Sequence, residues 1–289
     1  MKKTFSFGKN WLRYVKYILN EDIIQNASNS LTKFISNSEF KNKIFIDIGC
    51  GSGLFSLCAL RLGAKKVISF DIDLNSVQAT NLCKQKFAPD STNWDILQGS
   101  ILDLNFLKKL ELILKNEQII IYSWGVLHHT NDLNSAMLNA ANLAKLGGGW
   151  SMAYIAIYNR TEASPFWLKI KKFYNSTNII MKFLMVSAYT IFLTFEDIRK
   201  GRGLNMKDKS RGMHKITDVI DWLGGYPYEP ATANEINDFW GKLGFECTKF
   251  TPTKYHEPIY PKSFFYKYFV YLKQVGTGCN EFVFKSKNV

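Results

Sequence analysis

No Cys-x-x-Cys pair occurs in this chain of 289 residues, and its five cysteines, Cys50, Cys58, Cys83, Cys247 and Cys279, are odd in number. Neither a zinc site nor a disulfide framework fits that usage, so reduced thiols and no metal site are expected. The opening MKKTFSFGKNW does not read as a secretory leader, because polar residues arrive before an apolar core can form. A cytoplasmic location is the expectation. The run FLMVSAYTIFLTF at 183–195, with Lys182 just before it, falls short of the ~20 residues that span a bilayer. It lies between Lys169, Lys171, Lys172 and Lys182 on one side and Arg199, Lys200 and Arg202 on the other. It reads first as a buried cap helix; an interfacial helix over 179–202 on anionic lipid and a homodimer surface are the alternatives. Acidic residues are the last shortage, 24 Asp and Glu against 37 Lys and Arg, for a net charge of +13. That surplus suits a polyanion, but a composition rich in Lys, Asn and Ile produces it as well, so charge alone does not indicate a nucleic-acid partner.

The chain is 46% hydrophobic, enough for one substantial core, and it shows no internal repeat and no low-complexity linker. Apolar residues recur at helical spacing over roughly 11–35. Short β-branched runs then alternate with helical segments: strands near 43–48, 66–70, 94–98, 118–122 and 150–158, helices near 55–62, 74–87, 104–115 and 133–146. That alternation predicts an α/β fold, a doubly wound parallel sheet with both faces covered. It stops over about 160–231, a helical, lysine-rich and aromatic stretch. It resumes with a helix near 233–243 and two runs, 245–250 and 281–284, suited to closing a sheet edge. Four regions follow: an N-terminal helical lid at 1–42, a cofactor core at 43–160, a helical cap or acceptor insertion at 161–231, and the end of the core sheet at 232–289.

The stretch FIDIGCGSGLFSLCALRLGAKKVISFDID at 45–73 carries the chemistry. Gly49, Gly51 and Gly53 occupy the turn between a strand and a helix, where bare backbone lets a ligand approach and free N–H groups point into the crevice. Asp71 ends the second strand, where a carboxylate can accept from both ribose hydroxyls of a nucleoside. Two features separate this turn from a dinucleotide site: it reads D-I-G-C-G-S-G rather than GxGxxG, and Asp47 precedes it. A carboxylate there repels a pyrophosphate and suits a ligand carrying an ammonium and a sulfonium, which points to S-adenosylmethionine.

With these motifs in place, residues 43–159 resemble the class I S-adenosylmethionine-dependent methyltransferases. FIDIGCGSG corresponds to the family's first motif and FDID, with Asp71 and Ile72, to its acidic second-strand end. LQGSILD, with Gly99, Ser100 and Ile101, corresponds to the adenine-contacting turn, although Ser100 stands where many members have Asp. YSWGVLHHTND corresponds to the segment after the fourth strand. The resemblance implies a Rossmann-like, seven-stranded core, S-adenosyl-L-methionine as cofactor and S-adenosyl-L-homocysteine as product. FSFGKNW, AIYN, RGM, DWLGGYPYE and GCNEFVF further resemble an uncharacterised bacterial subgroup named for its likeness to ubiquinone and menaquinone methylases; no acceptor comes with that likeness.

Residues outside the motifs supply the remaining candidates. Ser123 and Trp124 are expected to line the methionine end of the cofactor. Asn10 and Trp11 either fold over the cofactor or staple the first helix. His128 and His129 follow the fourth strand, as general base or as packing. Tyr158, Arg211, Asp221, Trp222, Tyr226 and Glu229 either build an acceptor pocket or knot the cap together. Ser123-Trp124-Gly125-Val126 lacks the Asn/Asp-Pro-Pro-aromatic pattern of enzymes that methylate DNA amino groups. The expected function is methyl transfer to a small-molecule or lipid-like acceptor, at oxygen or sulfur. An RNA or protein methyltransferase and a non-catalytic cofactor-binding protein are the alternatives.

Overall fold

The computed structural model describes residues 6–147, 150–201, 215–253, 268, 270–272 and 278–287. Its centre is β1 (Ile44–Ile48), buried at every position and apolar at all but Asp47. A strand without polar alternation belongs inside a sheet covered on both faces. Beside it lie β2 (Lys66–Asp71) and β4 (Ile119–Trp124), both parallel to it. With β3 (Trp94–Gln98), β5 (Ser151–Tyr158), β6 (Phe245–Thr251) and β7 (Cys279–Ser286), the order across the seven-stranded sheet is β3-β2-β1-β4-β5-β7-β6. The first five strands run parallel. The reversed β7 inserts between β5 and β6, antiparallel to both.

Eleven α-helices lie among the described residues. α1 (Gly8–Tyr17) and α2 (Glu21–Thr32) replace the single helix expected over 11–35. The break is chemical: Asn20 accepts from the Ile23 N–H at 3.0 Å and so caps a new helix. After the short α3 (Asn37–Phe40), α4 (Leu54–Arg61), α5 (Leu74–Phe87), α6 (Leu104–Leu114) and α7 (Leu133–Lys145) connect the parallel strands. Residues 160–231 carry α8 (Ser164–Ser176), α9 (Ile179–Arg199) and α10 (Lys215–Gly224) before α11 (Ala233–Lys242) returns to the sheet. Two apolar layers cover the two sheet faces, one with Ile46 and Ile121, the other with Phe45 and Ile120. A third, mainly aromatic cluster around Trp167, Tyr189 and Trp222 holds α8, α9 and α10 together. The chain turns back at β1 and β4, where open α/β sheets leave a crevice beyond the carboxyl ends of the strands.

Candidate active site

The turn after β1 is built to bring backbone close to something else. Gly49, Gly51 and Gly53 all have positive φ, at 74°, 54° and 75°. A Cβ on Gly51 would come within 3.0 Å of the Trp11 indole nitrogen, so α1 lies directly against the turn. Asp71 faces the same loop. One of its oxygens accepts from the Gly51 N–H at 3.2 Å and the other from the Asp73 N–H at 2.9 Å. Burial pushes its carboxyl upward against these hydrogen bonds.

Asp47 sits beneath the turn, buried, with a chain of hydroxyls behind it. The Trp94 indole donates to Ser69 Oγ at 2.7 Å, and Ser69 and Ser56 are 2.7 Å apart. Ser56 donates to Asp47 Oδ2 at 2.5 Å. An indole N–H can only donate, so the relay has one consistent direction, from Trp94 through both serines to the carboxylate. Desolvation dominates and, helped by nearby Asp71, pushes Asp47 up to about 7 despite the serine hydrogen bond. A buried carboxylate with a single hydroxyl donor suits a cationic ligand group. Ser56, Ser69 and Trp94 escaped the sequence reading because each looks like an ordinary core residue until strand and helix are docked.

On the far rim, Ile72 is exposed, while Ile101 is buried and its carbonyl accepts from Asn139. Gly99 leaves the space that the Phe106 ring fills. Ser100 Oγ accepts from the Leu102 N–H at 3.1 Å, so its hydroxyl proton is still available for donation. Ser123 is buried and donates to the Ile48 carbonyl at 3.3 Å, and Trp124 ends β4 partly buried.

Residues 160–231 meet this crevice through α1 and the ends of β4 and β5. Asn10 donates from its amide to Asp221 Oδ1 at 2.8 Å, tying α1 to α10. Phe7 lies 5.3 Å from the His129 ring. A Cβ on Gly8 would meet the Ser76 amide nitrogen at 2.5 Å, which explains why FSFGKNW has glycine there: α1 could not otherwise reach the start of α5. His128 is fully buried; its Nδ1 accepts from the Tyr158 N–H at 3.3 Å and its ring stands 4.1 Å from the Tyr158 ring. Its carbonyl accepts from Glu229, and burial holds it well below the ordinary histidine range. His129 is less enclosed. Its Nδ1 meets the Pro227 carbonyl at 2.5 Å, so Nδ1 carries the proton and Nε2 keeps a lone pair. Burial lowers it to about 3. This geometry favours a packing role for His128 and leaves His129 as a weak acceptor of protons.

Tyr158 and Trp222 meet edge to face at 5.2 Å, and Tyr228 stands 5.8 Å from Tyr158. Between them is Lys171, one of the lysines that precede the apolar run. It is fully buried. Its Nζ donates to the Trp222 carbonyl and lies 4.1 Å from the Trp222 ring and 5.0 Å from that of Tyr228. Burial lowers Lys171 and raises Asp221, each moderated by the other's opposite charge. The signal was present: Trp167, Lys171 and Tyr174 share one face of α8, and all three are buried. The Nε2 of His128 and the Nε1 of Trp222 are buried here without a partner.

Not every acceptor candidate joins this cluster. Glu229 turns toward the start of α7, accepting from the Asn131 and Leu133 backbone, with burial raising its carboxyl. That is a carboxylate at a helix N-terminus, a structural position rather than part of the aromatic cluster. Tyr226 is half-buried just before Pro227. Arg211 lies outside the described residues. A cleft of about 260 Å3 opens beside Tyr228, between Arg160, Thr161, Ser164 and Pro230.

Comparison with known proteins gives two kinds of likeness. The family described as ribosomal protein L11 methyltransferase matches residues 29–120. Ribosomal protein L11 methyltransferases of Legionella pneumophila (strain Lens) and Acinetobacter baumannii (strain SDF) are 51% and 52% identical over 47 and 48 residues. Those segments are 16% and 17% of this chain and 16% of each relative. The chain therefore spans about a sixth of the length of the curated relatives it matches. Two solved structures match nearly the whole chain. One is a SAM-dependent methyltransferase from Anabaena variabilis, with a TM-score of 0.53 and 11% identity over 98% of this chain and 94% of that one. The other is magnesium protoporphyrin IX methyltransferase from Synechocystis PCC 6803 with bound SAH, at 0.51 and 13% over 98% and 95%. The seven-stranded sheet and its flanking helices have the Rossmann-like class I methyltransferase fold.

Proposed function

We propose that this chain, with its class I methyltransferase fold, is an S-adenosyl-L-methionine-dependent methyltransferase acting on a small-molecule or lipid-like acceptor, at oxygen or sulfur. The observation that carries the cofactor reading is the pairing of a positive-φ glycine turn with buried Asp47 and its Trp94–Ser69–Ser56 relay. Bound S-adenosylmethionine supplies an electrophilic methyl group on a sulfonium. Asp47 faces the cationic end of such a ligand, Asp71 offers lone pairs to ribose hydroxyls, and Ile72 with Gly99–Ile101 supplies the surface for adenine. Trp11 and Asn10 close α1 over the turn.

The acceptor reading rests on the cluster of His129, Tyr158, Lys171, Asp221 and Trp222. Aromatic walls exclude water, and positioning an acceptor there is worth roughly 7–11 kcal/mol of barrier. The Lys171 ammonium stabilises an oxyanion or thiolate next to it, and Asp221 offsets part of the burial that otherwise favours the neutral amine. The cleft beside Tyr228, lined by none of these five residues, has room for a small acceptor group. The likeness to the L11 enzymes favours a protein acceptor as second reading. It covers 29–120, which is the cofactor half, and none of the cap.

Calorimetry with S-adenosylhomocysteine and NAD tests the cofactor assignment: the first binds and the second does not. Binding of NAD alone would overturn it. For turnover, transfer of labelled methyl groups to small phenols, thiols and lipid extracts is compared with transfer to ribosomal protein. Labelling of protein alone would replace the acceptor reading, and tight, salt-sensitive RNA binding would favour RNA.

A further inference from the structure

Among the described residues, one side of α9 has no cover. Ile180, Leu184, Ile191, Phe195 and Ile198 fall in a single stripe at helical spacing, and they are 69%, 52%, 70%, 64% and 53% exposed. Sequence alone reads this apolar run first as a buried cap helix, yet only its opposite side is buried. There Met185, Val186, Phe192 and Leu193 pack on the aromatic cluster, and Tyr189 donates to the Leu272 carbonyl at 2.8 Å. A helix apolar on every side is normally covered on every side, so half of this one awaits a partner.

Three occupants come into question, and charge and size separate them. By length and composition the 21 residues of Ile179–Arg199 could cross a membrane. A crossing would strip away the inner face, including Glu196, which is buried and paired with Arg199 at 3.0 Å. A second copy is disfavoured by area: a stripe roughly 30 Å long and 10 Å wide gives about 300 Å2, against about 800 Å2 per partner in stable interfaces. A lipid surface fits the charges. Basic residues flank this helix in the chain: exposed Lys172 in α8 before it and exposed Arg199 and Lys200 at its C-terminal end, while Lys182 turns inward over the Tyr174 ring at 5.5 Å. Of the acids of this helix, Glu196 lies opposite the stripe, paired with Arg199, and Asp197 lies off to one side, so the stripe itself carries no acid. An acid-free apolar strip followed by Arg199 and Lys200 matches a hydrocarbon boundary rimmed by anionic headgroups.

We propose that the exposed face of α9, with the basic residues that flank it, docks the protein on anionic phospholipid bilayers, the helix lying in the plane of the membrane. The packed side of the cap then faces away from the bilayer. This holds whether or not the chain transfers methyl groups, so the two readings fail separately.

The test is flotation of the full chain with phosphatidylcholine vesicles, with and without phosphatidylglycerol. The wild type should float with the anionic vesicles, less so at high salt. The double variant Ile191→Glu/Phe195→Glu should lose on the order of tenfold or more in partition. Both positions are exposed, and circular dichroism melting checks that the variant is folded. The pair Lys172→Glu/Lys200→Glu should weaken binding to anionic vesicles and leave the melting unchanged. A wild type that stays out of the anionic vesicle fraction at low salt overturns the proposal. So does undiminished flotation of Ile191→Glu/Phe195→Glu. A concentration-dependent dimer abolished by that variant, without vesicle binding, would assign the stripe to a second copy instead.

Discussion

Replacing Asp47 by Asn separates the cost of a buried carboxylate from its use. Burial, aided by Asp71, raises this carboxyl from 3.8 to about 7. Because the folded value lies above the unfolded one, the native state binds the extra proton between those two values. Stability is therefore lost as pH rises from about 4 to about 7 and stays low above it. Three pKa units at 1.36 kcal/mol each put the upper limit near 4 kcal/mol. Asn keeps a hydrogen-bonding oxygen for Ser56 and cannot ionise. Cofactor-free Asp47→Asn protein should then be more stable than wild type at pH 8, by up to about 4 kcal/mol in urea, and nearly equal to it at pH 4. Binding moves the other way. A ligand ammonium prefers the ionised carboxylate, so wild-type affinity for S-adenosylhomocysteine should fall about tenfold from pH 8 to pH 6 as Asp47 protonates. In the variant this pH dependence should vanish and affinity should be low throughout. Denaturation and calorimetry on the same two proteins read both effects. Equal affinity and equal pH dependence in wild type and variant would refute the ammonium assignment, and equal stability at pH 8 would refute the desolvation argument.

Three further outcomes follow from the geometry. Asp71→Ala should weaken S-adenosylhomocysteine binding by ~1.5–3 kcal/mol, the range of hydrogen bonds to charged groups, and calorimetry showing undiminished affinity would remove Asp71 from the site. Lys171→Met and Asp221→Asn should each leave the other group with less compensating charge, and each should lower stability by about 1–3 kcal/mol. The double variant should lose less than the sum of the two in urea denaturation, and strict additivity would show that the pair is not coupled. Gly8→Ala should detach α1 from α5, costing about 1–3 kcal/mol in stability, and it should raise protease cutting near the N-terminus; a variant as stable as wild type would show that the 2.5 Å approach to Ser76 is easily relieved.

Much of the cofactor side was legible without a structure because its parts are contiguous. Strand, glycine turn and helix occur within a few residues of one another, and local φ preferences, hydrophobic period and a carboxylate at a strand end already specify their arrangement. The βαβ rule makes β2 a natural parallel neighbour of β1 once the alternation is seen, whereas the pairing of β1 with β4 is a feature of the structure. The reversed β7 and the break at Asn20 were less legible, since each depends on a single connection or a single side chain.

The sequence by itself determined the class of fold, the position of the glycine turn and the acid at the end of β2. Only tertiary structure decided what shares a pocket. The Trp94–Ser69–Ser56–Asp47 relay draws on four elements, and Asn10 reaches Asp221 across 211 positions of chain. Lys171 looks like its neighbours Lys169 and Lys172 in composition, yet it is fully buried while those two are exposed. The apolar run of α9 gives the opposite lesson, since half of a helix that reads as core faces outward. Periodicity tells which residues prefer to leave water; it does not tell which neighbours arrive to cover them, because that depends on contacts between segments far apart in the chain.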